Sequence, residues 1–243
     1  MKLLHHISYY LFALVIISCN QNENIPTVDL TPEPPAKDTI LQYIDSLKDI
    51  CRPGDLLVRL GDDFISDRIR YLSVKDHMYS HAGIIVIHNN EKMVCHIYPD
   101  DFVSGADTIR YDIIDSFINV RTNLKCALYR YDLSDSEKTN VQAELNTYHN
   151  KKVHFDKTYE LETDDKLYCS EMIYKVLKKV TNERIIIEQS SVPQNMQHLI
   201  SVYFKKYNFS KNIISTRKII AIDNLYDNPH CRLLMKFALK AMP

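Results

Sequence analysis

The sequence predicts an α+β domain built on a central, mainly antiparallel sheet, and three observations carry that reading. Short apolar runs bounded by turn residues recur at 56–60, 82–87, 92–98 and 125–131, the pattern of half-buried or buried strands. Amphipathic stretches with apolar residues three and four apart separate them, as at 38–50 and 134–150. One such stretch, 166–180, aligns Met172, Ile173, Val176, Leu177 and Val180 on one face and places Cys169 in its first turn or cap. The expected sheet uses strands near 56, 82, 92, 125, 153 and 218, packed by the helix that presents Cys169.

The chain has 243 residues with a formal net charge of -1, acidic and basic residues being interspersed, so no nucleic-acid partner is expected. Only four glycines occur, Gly54, Gly61, Gly83 and Gly105, which argues against Gly-rich phosphate loops and dinucleotide fingerprints. No internal repeat is visible, and a single domain over 38–243, monomeric, is the expectation.

The N-terminus reads as an address. Lys2 precedes an apolar segment at 7–17 that is too short for a permanent membrane span and closes with Ile16-Ile17-Ser18-Cys19. That tetrapeptide resembles a bacterial lipobox, so 1–19 is expected to be a lipoprotein signal whose Cys19 is lipidated, anchoring the protein to a membrane of the cell envelope. Residues 20–37, polar and proline-bearing, suit a disordered tether.

From Asp38, a plausible N-cap, Ile40, Leu41, Ile44, Leu47 and Ile50 share one helical face that stops before Pro53. The Pro53-Gly54 turn introduces the strand at 56–60, with Asp55 read as capping that turn. A helix at 62–74 turns Phe64, Ile65, Ile69 and Leu72 inward, and a hairpin follows, its strands joined at His88-Asn89-Asn90. Residues 100–113 read as a loop lining one side of a cleft. Asp112 or Ser116 caps a short helix through Phe117, ahead of the strand at 125–131. Ser134 or Asp135 caps the surface helix 134–150, with Glu137 near its positive end. A short strand at 153–155 precedes the acidic loop 156–165, whose charges either select a cationic substrate or are ordinary solvated charge. Beyond the cysteine helix come a short apolar run at 183–188, a helix at 192–207, a strand at 218–222 and a helix at 229–239.

The candidate chemistry gathers at three residues. The free N–H groups and positive dipole end of a helix start stabilise an anion, so Cys169 is placed to become a thiolate. The hairpin sets His81 on its first strand beside His96 on its second. A nucleophilic cysteine needs a base within hydrogen-bond reach, and that base needs a third group to fix its tautomer; Cys169, His81 and His96 supply all three. Alternation puts Cys95 on the opposite side of its strand, in the core, and Cys126 reads as core as well. Excluding Cys19, five cysteines remain, an odd number with no CxxC, and a Cys51–Cys231 disulfide is one possible pairing. The remaining histidines form no ligand pattern, so no metal and no cofactor are expected.

The chain resembles the circularly permuted papain-like (NlpC-type) cysteine hydrolases of the YiiX/YaeF-like amidase branch. The shared marks are PGDLLVRL at 53–60, SHAGIIV at 80–86, a polar residue on the next strand, and YCSEMIYKVL at 168–177. The resemblance implies a permuted papain-like fold and a hydrolase that cleaves an amide in a cell-wall peptide or an N-acyl small molecule, and the lipobox-like N-terminus places it in the envelope. It assigns the nucleophile to Cys169, the base to His81 and the orienting group to His96. His96 stands where many members carry Glu, which keeps the orienting role but removes a negative charge. Tyr168, Tyr79 and Glu171 are the candidate substrate or oxyanion contacts. Two rival functions use the same chain: a lipid-directed acyl hydrolase or acyltransferase, and a non-enzymatic envelope binding module.

Overall fold

A computed structural model describes residues 36–99, 107–205 and 216–240. The leader, its Cys19 and the tether up to residue 35 lie outside the described residues, as do 100–106 and 206–215.

The elements follow in the order α1 (Lys37–Ile50), β1 (Leu56–Gly61), α2 (Phe64–Ile69) running into a 3-10 turn (Arg70–Leu72), β2 (His81–His88), β3 (Glu91–Ile97), β4 (Ile109–Ile113), α3 (Ile114–Phe117), β5 (Asn123–Tyr131), α4 (Asp135–Asn150), β6 (His154–Phe155), β7 (Lys166–Leu167), α5 (Cys169–Val180), β8 (Ser190–Ser191), α6 (Gln194–Lys205), β9 (Lys218–Ile219), α7 (Ile222–Tyr226) and β10 (Cys231–Ala238). Six strands make one sheet in the order β10-β5-β1-β2-β3-β4, each pair antiparallel.

Both faces of this sheet are covered, which is why its strands read as nearly continuous apolar runs rather than a clean alternation. On one face Leu56, Val58, Ala82, Ile84, Val86 and Cys95 pack with Met172, Ile173, Val176 and Leu177 of α5. On the other, Leu57, Ile85, Val94, Cys126 and Leu128 pack with Ile40, Ile44 and Leu47 of α1. Removing this apolar area from water is the main favourable contribution to the fold. Cys95 and Cys126 are core residues, as their alternation implied. Cys51, Cys95, Cys126, Cys169 and Cys231 are all free thiols, so the Cys51–Cys231 disulfide does not form.

Several local expectations hold. Ser134 and Glu137 close a capping box on α4. Asp55 accepts from the Arg52 N–H at 2.7 Å and is gripped by Arg130 at 2.8 and 2.7 Å, a structural role.

Others are corrected. The sheet does not contain the strands expected near 153 and 218; these are two-residue pieces, β6 pairing β7 in parallel and β9 pairing β8. Its places are taken by β4, read from sequence as loop, and by β10, read as a helix. The segment CRLLMKFA is rich in good helix formers, but pairing with the full length of β5 overrides that propensity. Helix α1 starts at Lys37 after Ala36, with Asp38 in its first turn instead of at its cap. Asp112 lies within β4 and caps nothing, α3 starting after Ile113 without a side-chain cap. The helix expected at 62–74 is a short helix capped by Asp63 that runs into a 3-10 turn; Leu72 is buried and Ile69 packs beside it as expected, but Phe64 and Ile65 face outward, 65% and 57% exposed.

Candidate active site

The cysteine is held at a well-anchored helix start. Tyr168 is the N-cap of α5, and a carboxyl oxygen of Glu171 accepts its N–H at 3.2 Å. Ser170 Oγ donates to the Ile220 carbonyl at 2.6 Å, and the Ile220 N–H donates to Tyr168 Oη at 2.7 Å, so the segment after β9 clamps both neighbours of Cys169. The β6–β7 pair fixes the approach, Asp156 N donating to Leu167 O at 3.0 Å. The thiol faces the backbone N–H groups of Ala82, Ser170 and Cys169 itself.

His81 opens β2 and its Nε2 lies 3.1 Å from His96 Nδ1 on β3. The rings meet edge to face, at 89°, and Phe117 packs against both. The strands can come this close because Gly83 stands beside His96: a Cβ there would lie 2.4 Å from Val94 Cγ1 and 3.2 Å from His96 Cβ. The chain of contacts does not stop at His96. Its Nε2 is 3.0 Å from Asp112 Oδ2 on β4, and Arg110 holds that carboxylate at 3.3 Å. Because His81 spends Nε2 on His96, Nδ1 is the ring nitrogen left for the substrate side.

Burial sets the resting protonation. It pushes the Cys169 thiol above its ordinary value, outweighing the backbone N–H groups and the positive charge of Arg59. Burial likewise holds His81 well below the usual imidazole range, helped by the charges of Arg59, His96 and Arg110. The site therefore rests as thiol and neutral imidazole, not as the thiolate expected from the helix start alone. His96 is also lowered by burial, with the Asp112 carboxylate opposing the shift. The hydrogen bond from His96 in turn keeps the Asp112 carboxyl low.

Cys169 and His81 open on one cavity of about 460 Å³, which Tyr98, Tyr168, Arg59 and Arg110 also line. No hydrogen bond joins Cys169 to His81 among the described residues; nucleophile–base contacts in ligand-free sites are commonly long. Of the other sequence candidates, Tyr168 lines the cavity, its hydroxyl oxygen accepting from the Ile220 N–H. Tyr79 and Glu171 do not line it. Tyr79 is packed edge-on against Tyr226 in the core, and Glu171 is buried beneath the helix start with Lys175 at 3.0 Å. The acidic loop turns away as well: Glu160 pairs with Arg217 and Asp164 with Lys175, and only Tyr159 of that segment reaches the cavity.

Sequence reasoning missed Asp112, Arg59 and Arg110. Arg110 and Asp112 are two apart, so on a strand they share a face, and that face lies over His96; the signal was the alternation of Ile109–Ile113.

An antiparallel sheet carrying a His–His–Asp chain, against which a helix start presents a cysteine into the same cavity, defines the class: a papain-like cysteine hydrolase in permuted chain order. The chain belongs to the permuted papain-like amidase family, YaeF/YiiX, C92, whose model matches residues 51–234. It is therefore a cysteine peptidase or amidase. Among solved structures it is similar in fold to yiiX of Escherichia coli O157:H7, with a TM-score of 0.59 and 20% identity over 75% of this chain and 95% of that one. That neighbour is described as a metalloprotein. In this chain no group of three or more His, Cys, Asp or Glu side chains is arranged to hold a metal ion among the described residues. No curated protein sequence matches the chain.

Proposed function

We propose that this protein is a cell-envelope amidase that works through a Cys169 acyl-enzyme, with His81 as base and His96 and Asp112 orienting it. The observation that carries the reading is the continuous His81–His96–Asp112 chain ending at the cavity into which Cys169 opens. As the sulfur attacks the carbonyl carbon, its proton passes to Nδ1 of His81. The oxyanion is met by the backbone N–H groups that face the sulfur, those of Ala82, Ser170 and Cys169. The C–N bond then breaks as His81 returns the proton to the leaving amine. Water, deprotonated by the same imidazole, attacks the thioester, and the acid departs as the thiol is restored. Asp112 supplies the negative charge that a histidine at 96 does not, favouring the imidazolium that forms in between.

The lipobox-like Ile16-Ile17-Ser18-Cys19 supports an envelope location, with peptidoglycan-type peptides or N-acyl small molecules as substrates. One wall of the cavity, Ile65, Ile69, Leu72 and Ile219, is apolar, which favours acyl-bearing compounds as a second reading of the substrate. The test is a mass-spectrometric screen of peptidoglycan fragments, acyl amides and acyl esters with wild type and Cys169→Ala. Cleavage of an amide by wild type alone supports the proposal; identical product profiles from the two proteins would remove it. Loss of membrane association in Cys19→Ala tests the anchor.

A further inference from the structure

Arg59 is the unexplained charge of this site. It projects from β1, directly across the ladder from His81, and lines the cavity with Cys169. Its Nη1 donates to the side-chain amide oxygen Oδ1 of Asn123, a neutral partner, and its guanidinium lies 5.1 Å from the Phe117 ring centroid. Its Nε is buried and has no hydrogen-bond partner, and it forms no ion pair among the described residues. Of the carboxylates of the same cavity, Asp63 caps α2 through Ser66 and acts on Arg59 through its charge without a hydrogen bond, and Asp62 is paired with Lys240. A desolvated cation with an unused donor is costly unless something completes it. Arg110, 5.6 Å from the Tyr98 ring centroid, also lines the cavity, but its charge is paired with Asp112.

We propose that Arg59 is a specificity residue that binds a carboxylate of the substrate, so that the amide cleaved is one with a free carboxyl group close to the scissile bond. This deepens the amidase reading and rests on it. The planar guanidinium, held by Asn123 and Phe117, offers a directed donor to a carboxylate oxygen, which a lysine on a flexible stem does not. The acid-lined alternative, selection of a cationic substrate by the loop 156–165, lacks a carboxylate from that loop in the cavity.

The test compares alkylation of Cys169 by iodoacetate and by iodoacetamide, reagents of nearly equal size that differ in one carboxylate. The same thiolate attacks the methylene carbon of either reagent and expels iodide, so the ratio of the two rates is insensitive to any change in the thiol's ionisation. Relative to the ratio measured on free cysteine, wild type is expected to favour iodoacetate by about tenfold or more, as charge-focused sites do. Arg59→Gln returns the ratio to that of the free thiol, and Arg59→Lys retains part of the preference. A second measurement needs no variant: N-acetylglycine slows iodoacetamide labelling of wild-type Cys169, whereas N-acetylglycinamide does not. A free-thiol ratio in wild type, or a preference that survives in Arg59→Gln, overturns the assignment while leaving Cys169 as nucleophile. Equal protection by the two glycine derivatives overturns it too. Failure of both reagents to label Cys169 sinks the amidase reading itself, and the proposal with it.

Discussion

His96 Nε2 stands 3.0 Å from Asp112 Oδ2, one strand beyond the hairpin that carries the two histidines. The negative charge that a glutamate would place on the second strand is supplied here from the third. His96 is thereby fixed between two partners, Nδ1 toward His81 and Nε2 toward the carboxylate, and its tautomer is set by both.

Asp112→Asn keeps the shape of this contact but removes its charge. Turnover on the amide substrate is expected to fall about tenfold to a hundredfold, with little change in KM, since the charge matters most when His81 is protonated. His96→Ala is expected to cost more than Asp112→Asn, and the double variant no more than His96→Ala alone. Steady-state kinetics of the three proteins check this; additive losses would place Asp112 outside the chain.

The resting state of thiol and neutral imidazole has a pH signature. Because burial raises the thiol and lowers His81, the thiolate fraction grows throughout the neutral range. Iodoacetamide labelling of Cys169 should rise about tenfold per pH unit from about pH 6 to about pH 8. An ion-paired cysteine would instead give a plateau across that interval, and finding one would contradict the assignment of the resting state.

Gly83 is the position at which the hairpin admits His96. In Gly83→Ala the new methyl meets Val94 Cγ1 at 2.4 Å, the Cys95 carbonyl at 3.1 Å and His96 Cβ at 3.2 Å. Overpacking of this kind costs about 1–3 kcal/mol and moves the obstructing side chains. A lowered Tm together with reduced turnover is the expected result. Unchanged turnover would show that His96 tolerates displacement.

Glu171 gives a stability prediction separate from catalysis. It is fully buried, and burial pushes its carboxyl up to about 8, Lys175 at 3.0 Å offsetting part of the effect. The folded protein thus keeps a proton that the unfolded chain releases above its ordinary value of 4.5. Stability is full below that value and declines as pH rises toward about 8. Glu171→Gln should flatten this decline, gaining in Tm over wild type with rising pH across that window. Parallel Tm curves for the two proteins would refute it.

What the sequence alone determined was local. The apolar runs of β2 and β3, the turn between them and the apolar face of α5 are patterns readable within a dozen residues, and they located Cys169, His81 and His96. Tertiary structure decided the rest, because those outcomes depend on what each segment meets. Cys231–Ala238 is a strand because β5 offers it an unpaired edge, against its own helical propensity. Asp112 joins the site because β4 pairs with β3 in a register that sets Arg110 opposite His96. The thiol stays protonated because packing removes it from water, a cost that a helix start read in isolation does not reveal. Arg59 of β1 comes to share a cavity with Cys169 of α5 only in the tertiary fold, and no spacing within either segment encodes that encounter.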